Sequence, residues 1–300
     1  MQKKLLMPNL APLAVLFLTG SYVVANEDWH RTDFSHSTVE LSEIVSGGPP
    51  KDGIPALDKP KFVSFQNANY WLDDREPVIV VDIEGLARAY PLQILIFHEI
   101  VNDEINGHPI TVTFCPLCNA SIVFDRRLDG KILDFGTTGN LRKSDLVMYD
   151  RQTESWWQQF TGAGIVGRYA GKELKQLPST IVSYAAFKKQ YSDSQVLSRN
   201  TGFSRPYGNN PYRGYDNIDD KPFLYFDAID ERLPPMERVI DVIINGKSKI
   251  YPFTLLERTP IINDKFQGKA LAVFSTPGLL SVLDNENIRD SQLTFSAKVY

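Results

Sequence analysis

The chain reads as an α+β, β-rich protein: two related β-rich modules (an internal duplication) with short helices and a middle insert. Three observations predict this. Residues 78–118 (VIVVDIEGLARAYPLQILIFHEIVNDEINGHPITVTFCPLC) and 239–279 (VIDVIINGKSKIYPFTLLERTPIINDKFQGKALAVFSTPGL) align without a gap at a constant offset, and fourteen of the 41 positions are identical. Each copy alternates β-branched, apolar runs with Gly, Asn and Pro at fixed places, the pattern of strands joined by tight turns. Only one stretch per copy has room for a helix, and it is short. Self-similarity of this length in one register is the mark of a repeated unit.

The elements follow in order. Residues 78–83 are an apolar β-branched run, strand-like by periodicity. Gly85 permits a tight turn into ARAYP. Pro91 suits the first turn of a short helix over about 92–99. NDEING is a turn, and residues 110–114 form a second, alternating strand. The second copy repeats each signal with Gly246, Pro252, NDKFQG and residues 271–274. Between the copies, residues 132–166 are strand-rich, 181–191 have helical spacing, and QVLS is strand-like. Ahead of the first copy, SGGPPKDGIPALDKP (46–60) reads as an irregular arm lying across the surface or as a loose linker. The expected organisation is a signal peptide over 1–25, an N-terminal arm over 26–60, and a single family domain over 61–300. That domain contains copy one (about 78–139), the insert (about 140–235) and copy two (about 236–300).

Composition excludes several classes. The 300 residues are 43% hydrophobic and 23% charged, which describes a folded chain rather than a disordered one. A net charge of −4 leaves no basic surplus for nucleic acid. GTTGN (136–140) lacks the lysine and spacing of a phosphate-binding loop. Lys3 and Lys4, an apolar stretch over about 10–24 and the small Ala25 after VV predict an exported protein, periplasmic or extracellular, with the signal cleaved before Asn26. No later segment reaches the roughly 18 apolar residues of a membrane helix, so no integral membrane segment is expected after cleavage. An oxidising compartment follows.

The only two cysteines, Cys115 and Cys118, lie in TVTFCPLCNASIVF. Four readings compete for them: a metal clip, a redox pair, a nucleophile and a structural disulfide. A thioredoxin-like pair needs a helix after the first thiol, whereas NASIVFDRR reads as a strand. Covalent haem attachment needs His where Asn119 stands. A strand, a Cys-Pro-x-Cys turn and a returning strand aim two sulfurs at one point, as metal knuckles do. His98 is then the third ligand, with Glu99, His108 or Met148 as fourth-ligand candidates. Two sulfurs and an imidazole favour copper or zinc over calcium or magnesium. On the same residues a thiol-disulfide or cysteine-dependent enzyme is the alternative, with Cys115 attacking, Cys118 resolving and His98 as base. A non-catalytic ligand-binding module using the Tyr-rich loop over 200–217, and a merely structural disulfide, complete the set. The repeat bears on the choice. The second copy carries Thr259, Pro260, Lys269, Thr276 and Leu279 where the first carries His98, Glu99, His108, Cys115 and Cys118. The module's scaffold therefore does not depend on these five groups, whereas Pro116 recurs as Pro277 and predicts a retained loop shape. His30 and His36 read as solvated, SWWQQF as core, and DDREP and DNIDD as polar turns.

The blocks GGPPKDGIPALDKPKF, ARAYPL, HEIVND, FCPLCNAS, LVMYDRQT, WWQQFTG and NPYRGY, in this order, resemble the bacterial and archaeal family called domain of unknown function 3179, from about residue 43 to the end. The resemblance implies that HEIVND and CPLC belong to a shared core; it implies no activity. Two departures from the family pattern stand out: Asn119 replaces the usual small residue after the second cysteine, and the second half ends early against longer members.

Overall fold

In the computed structural model, residues 28–192 and 194–300 are described; the expected signal peptide lies outside them. Strand Pro77–Ile83 shows why the first module opens on a continuous apolar run. Successive side chains on a strand point to opposite faces. Ile79 and Val81 enter one core with Tyr90, Leu95, Val112 and Phe114, and Val78 and Val80 enter another with Ala89, Tyr184 and Phe187. A strand buried on both sides needs apolar residues at every position.

Three five-stranded sheets carry the first two thirds of the chain. One orders Thr180–Ser183, Pro77–Ile83, Leu86–Pro91, Gln195–Leu197 and Phe62–Val63. The second orders Gln176–Leu177, Ala120–Asp125, His108–Cys115, Ile100–Ile105 and Leu57–Asp58. The third orders Ile44–Ser46, Phe135–Arg142, Asp145–Asp150, Trp156–Gln158 and Gly164–Val166. The second and third sheets face each other across a core that includes Ile100, Cys115, Phe124, Phe135, Met148 and Trp157. The longest α-helix among the described residues, Tyr184–Gln190, has seven residues, so the β-rich class holds. No described helix is long and apolar enough to cross a membrane.

The helix expected over 92–99 is shorter, Leu92–Leu95. The chain leaves it through Glu99 in the left-handed region (φ 58°) and enters strand Ile100–Ile105 at once. The arm is ordered rather than a loose linker. Its Gly47 N–H donates to Gly139 O at 2.8 Å and its Asp52 N–H to Thr137 O at 2.9 Å. Leu57–Asp58 then adds as a parallel edge strand to Ile100–Ile105.

The two related stretches share elements at the offset seen in the sequence. Val239–Ile244, Lys247–Pro252, helix Phe253–Arg258, Ile261–Phe266 and Lys269–Leu280 follow the order of Pro77–Ile83, Leu86–Pro91, Leu92–Leu95, Ile100–Ile105 and His108–Cys115. Cross-strand register matches as well: Val78 opposes Pro91 as Val239 opposes Pro252, and Ile105 opposes His108 as Phe266 opposes Lys269. One side-chain bond recurs. Tyr90 Oη donates to Asp103 Oδ2 at 2.6 Å, and Tyr251 Oη to Asp264 Oδ2 at 2.7 Å. A cation stands beside each carboxylate, Arg88 in one and Lys249 in the other. Tyr90 is fully buried. Tyr90→Phe is therefore expected to cost about 1–3 kcal/mol in denaturant unfolding, because a buried acceptor loses its donor. Tyr251→Phe should lose less, because Asp264 is less buried than Asp103.

The shapes diverge after the fifth element. The retained proline does not preserve the loop. Cys115 leads into the single 3-10 turn Pro116–Cys118, and the chain doubles back. The later of the two similar stretches runs straight through Pro277 in a twelve-residue strand. Gly278, at φ 98°, absorbs a bulge between Pro277 and Leu279 and lets pairing with Leu293–Val299 continue. Leu117 has no such freedom.

Candidate functional site

The Cys-Pro-Leu-Cys turn joins His108–Cys115 to Ala120–Asp125 at the end of the second sheet, with Cys115 opposite Ala120. Asn119 closes the turn at φ 46° and ψ 39°. Glycine enters that left-handed region most easily and asparagine next, which suits Asn119 to closing the turn. Thr111, Thr113 and Cys115 share the strand face opposite Ile110, Val112 and Phe114. Cys115 is thereby aimed at the third sheet, into the core that holds Met148 and Trp157.

Cys115 and Cys118 form a disulfide. Cys115 is fully buried and Cys118 is half-buried. The first residue of strand Asp145–Asp150 brings a carboxylate to them: Cys118 Sγ lies 3.3 Å from Asp145 Oδ1. The other oxygen accepts from Gln158 Nε2 and, at 2.9 Å, from the Phe160 N–H. Asp145 is buried, and burial pushes its carboxyl up to about 7 despite these donors. A second buried acid stands close by. Glu99 O accepts from the Phe114 N–H at 2.8 Å, one residue before Cys115. Burial raises its carboxyl to about 8, opposed by the Tyr212 hydroxyl that donates to Oε1 at 3.3 Å and reinforced by the charge of Asp145.

His98 occupies a different setting. Its Nδ1 bonds Pro55 O at 2.8 Å, and its Nε2 bonds Tyr207 Oη at 2.7 Å. Tyr207 Oη in turn meets Thr201 Oγ1 at 2.6 Å. Burial lowers the imidazole to about 4, so it is neutral near pH 7. Both ring nitrogens are thus engaged by the arm and the Tyr-rich loop. His108 begins the strand that Cys115 ends, roughly 23 Å away at about 3.3 Å per residue. There it sits 3.6 Å from Glu84 and 3.3 Å from Arg127, beside a cleft of about 290 Å³ that does not reach the cysteines. Met148 is fully buried in the cysteines' core.

Among the described residues, one set of three His, Cys, Asp or Glu side chains has its ligating atoms mutually within 4.8 Å: Cys115, Cys118 and Asp145. His98, Glu99 and His108 are outside it. Asp145 escaped the sequence reading because nothing local distinguishes it from the other polar residues of LRKSDLVMYD; only the packing of the third sheet on the second reveals it. Tyr207 and Tyr212 had a signal in the Tyr-rich loop, but no partner could be named. Trp156 and Trp157 are core as SWWQQF implied, whereas Phe160 is 48% exposed.

The family model described as "Protein of unknown function (DUF3179)" matches residues 51–300. The chain belongs to this family. Neither the curated proteins nor the solved structures contain a match. The family's matched span includes the arm from Lys51 onward, the cysteine turn, Asp145 and the Tyr-rich loop.

Proposed function

We propose that this family member is an exported thiol-disulfide exchange protein whose Cys115 and Cys118 cycle between disulfide and dithiol. The observation that carries the reading is the asymmetry of the pair: a half-buried cysteine bonded to a fully buried one, with the Asp145 carboxyl 3.3 Å from the sulfur of the more exposed residue. A substrate thiolate attacks Cys118 Sγ, the sulfur of the less buried residue. The S–S bond breaks, Cys115 leaves as thiolate and takes up a proton, and a mixed disulfide joins substrate to Cys118. A second substrate thiolate attacks the substrate sulfur of that bond and expels Cys118, which is protonated in turn. Two electrons and two protons have passed from two substrate thiols to the protein, and the substrate leaves as a disulfide. A carboxyl that titrates near neutrality beside Cys118 can give or take its proton. The roles expected from the chain order are exchanged: Cys118 is the outer sulfur and Cys115 the inner one. Asp145 stands where His98 was expected as base. The disulfide is compatible with an oxidising compartment.

The test is a thiol count across a series of glutathione redox buffers. The expected result is a two-electron transition in folded protein, with Cys118 alkylated before Cys115. A disulfide that resists reduction until the chain unfolds would sink the proposal in favour of a structural crosslink.

The donor cluster favours a second reading. In the dithiol form, two thiolates and the Asp145 carboxylate make a three-ligand set with a free position, suited to copper or zinc. Reduced protein is then expected to retain stoichiometric zinc through gel filtration and to lose it in Asp145→Asn; equal retention by the oxidised form would exclude this set.

A further inference from the structure

We propose that the molecule meeting Cys118 is an extended, cysteine-bearing polypeptide segment, which adds as a strand along the outer edge of residues 120–122; this rests on the exchange reading above. Strand Ala120–Asp125 is paired over its whole length on one side, to His108–Cys115. On its other side Gln176–Leu177 covers only Phe124 and Val123. Pro178 follows, has no N–H to continue the ladder, and the chain departs to Thr180–Ser183 in another sheet. The half of the edge nearest the disulfide is therefore without a strand partner among the described residues.

The direction of its hydrogen-bonding groups can be worked out. Arg126 N–H donates inward to Pro109 O, and Asp125 N–H donates outward to Lys175 O. Neighbouring residues on an antiparallel strand alternate in this respect. Phe124, Ile122 and Ala120 point their backbone groups inward, and Thr113 Oγ1 also donates to Ile122 O. Asp125, Val123 and Ser121 point theirs outward. The Ser121 N–H and C=O thus point to the side without a strand partner, three residues from Cys118; residues 117–122 are all half-buried, and the Ser121 hydroxyl is itself buried. Phe160, 48% exposed, lies toward the cysteine end of this edge, since its own N–H holds the Asp145 carboxylate that meets Cys118. A main-chain donor and acceptor three residues from a half-buried cysteine match a peptide backbone that carries a thiol; a small disulfide has no backbone long enough to use them. Strand addition of this kind draws affinity from main-chain hydrogen bonds.

The experiment uses the Cys115→Ser protein, in which Cys118 is a lone thiol. It is offered a short extended peptide carrying one cysteine as a mixed disulfide, the same peptide N-methylated at the residue that would pair with Ser121, and glutathione disulfide. Cys118 attacks, a Cys118–peptide disulfide forms and the leaving thiol is counted. The peptide is expected to react about tenfold faster than glutathione disulfide, the worth of one or two main-chain hydrogen bonds. N-methylation of the peptide, or Ser121→Pro in the protein, should bring the ratio of the two rates towards one. Equal rates for the peptide and its N-methylated form overturn strand docking while leaving the exchange reading intact. A Cys118 inert to all three probes overturns both. A dimer of the protein alone that Ser121→Pro dissociates assigns the edge to a second copy of the chain and overturns the substrate assignment.

Discussion

Between about pH 4 and pH 8 the protein is expected to lose stability as pH rises, and Asp145→Asn and Glu99→Gln should each flatten that fall. The cause is the pair of buried acids beside the disulfide. Burial raises the Asp145 carboxyl to about 7 and the Glu99 carboxyl to about 8; in an unfolded chain both titrate near their ordinary values of about 4. Over the interval between, the native state keeps protons that the unfolded chain has released, so the slope of stability against pH is negative. Above the folded values the native groups ionise too and the curve levels. For Asp145 the gap between the folded and unfolded values corresponds to on the order of 4 kcal/mol. Glu99 is comparable, and because part of its rise comes from the charge of Asp145 the two contributions do not add. The groups facing them work the other way: Gln158, the Phe160 N–H and Arg142 support the Asp145 anion, and Tyr212 supports that of Glu99. On the acid side, Asp125 is held low by hydrogen bonds from Arg127, and Asp264 is held at about 2 by Lys249 and Tyr251. Their support disappears as pH falls below about 4, and His98, held down to about 4 by burial, opposes the fall between about pH 4 and 6.5, so the net loss is steepest from about pH 6.5 to 7. Urea titrations at fixed redox state across this range check the expectation. A flat profile from pH 5 to 8 in the unmodified protein would show that water reaches these carboxyls.

The sequence carried much of this architecture because the two similar stretches, 78–118 and 239–279, report on turns and strand register. The left-handed positions Glu84, Gly85, Asn106 and Gly107, and their counterparts Asn245, Gly246, Gln267 and Gly268, are short-range features, decided by which residues tolerate positive φ. The strands between them follow from alternation. The site was legible only in part. The cysteine turn and its apolar flanks are local, so a sulfur pair between two strands could be read. Which acid would approach it could not, because Asp145 arrives from another sheet, 27 residues beyond Cys118. His98 misled for the same reason. Its position 17 residues before Cys115 says nothing of its rotation. The tight left-handed exit at Glu99 gives the histidine to the arm and Tyr207 and the glutamate to the cysteines' side of the sheet.

Gly139→Ala is expected to release the arm and, with it, His98. Gly139 lies at φ 76°, where an L side chain is strained, and a β-carbon there would overlap the carbonyl oxygen of Pro49. The two effects together amount to on the order of 3 kcal/mol. The sheet strand Phe135–Arg142 is held on both sides, by Ile44–Ser46 and Asp145–Asp150, so the arm segment crossing it is the part able to move. What opposes release is a short ladder: Gly47 to Gly139, Asp52 to Thr137, Tyr149 Oη to Asp52 at 2.5 Å and Thr137 Oγ1 to Ile54 O at 2.8 Å. Pro55, the next residue, carries the carbonyl that holds His98 Nδ1. Two measurements then report on one event. Protease sensitivity should appear within residues 46–60. The His98 imidazole, kept down to about 4 chiefly by burial, should titrate upward towards its ordinary value: losing the Pro55 bond alone would lower it, but regained solvation is the larger effect and acts in the opposite direction. An unchanged titration near 4 with an intact arm would mean that the strand bulge beside Gly139 yields instead, leaving the arm docked and His98 sealed.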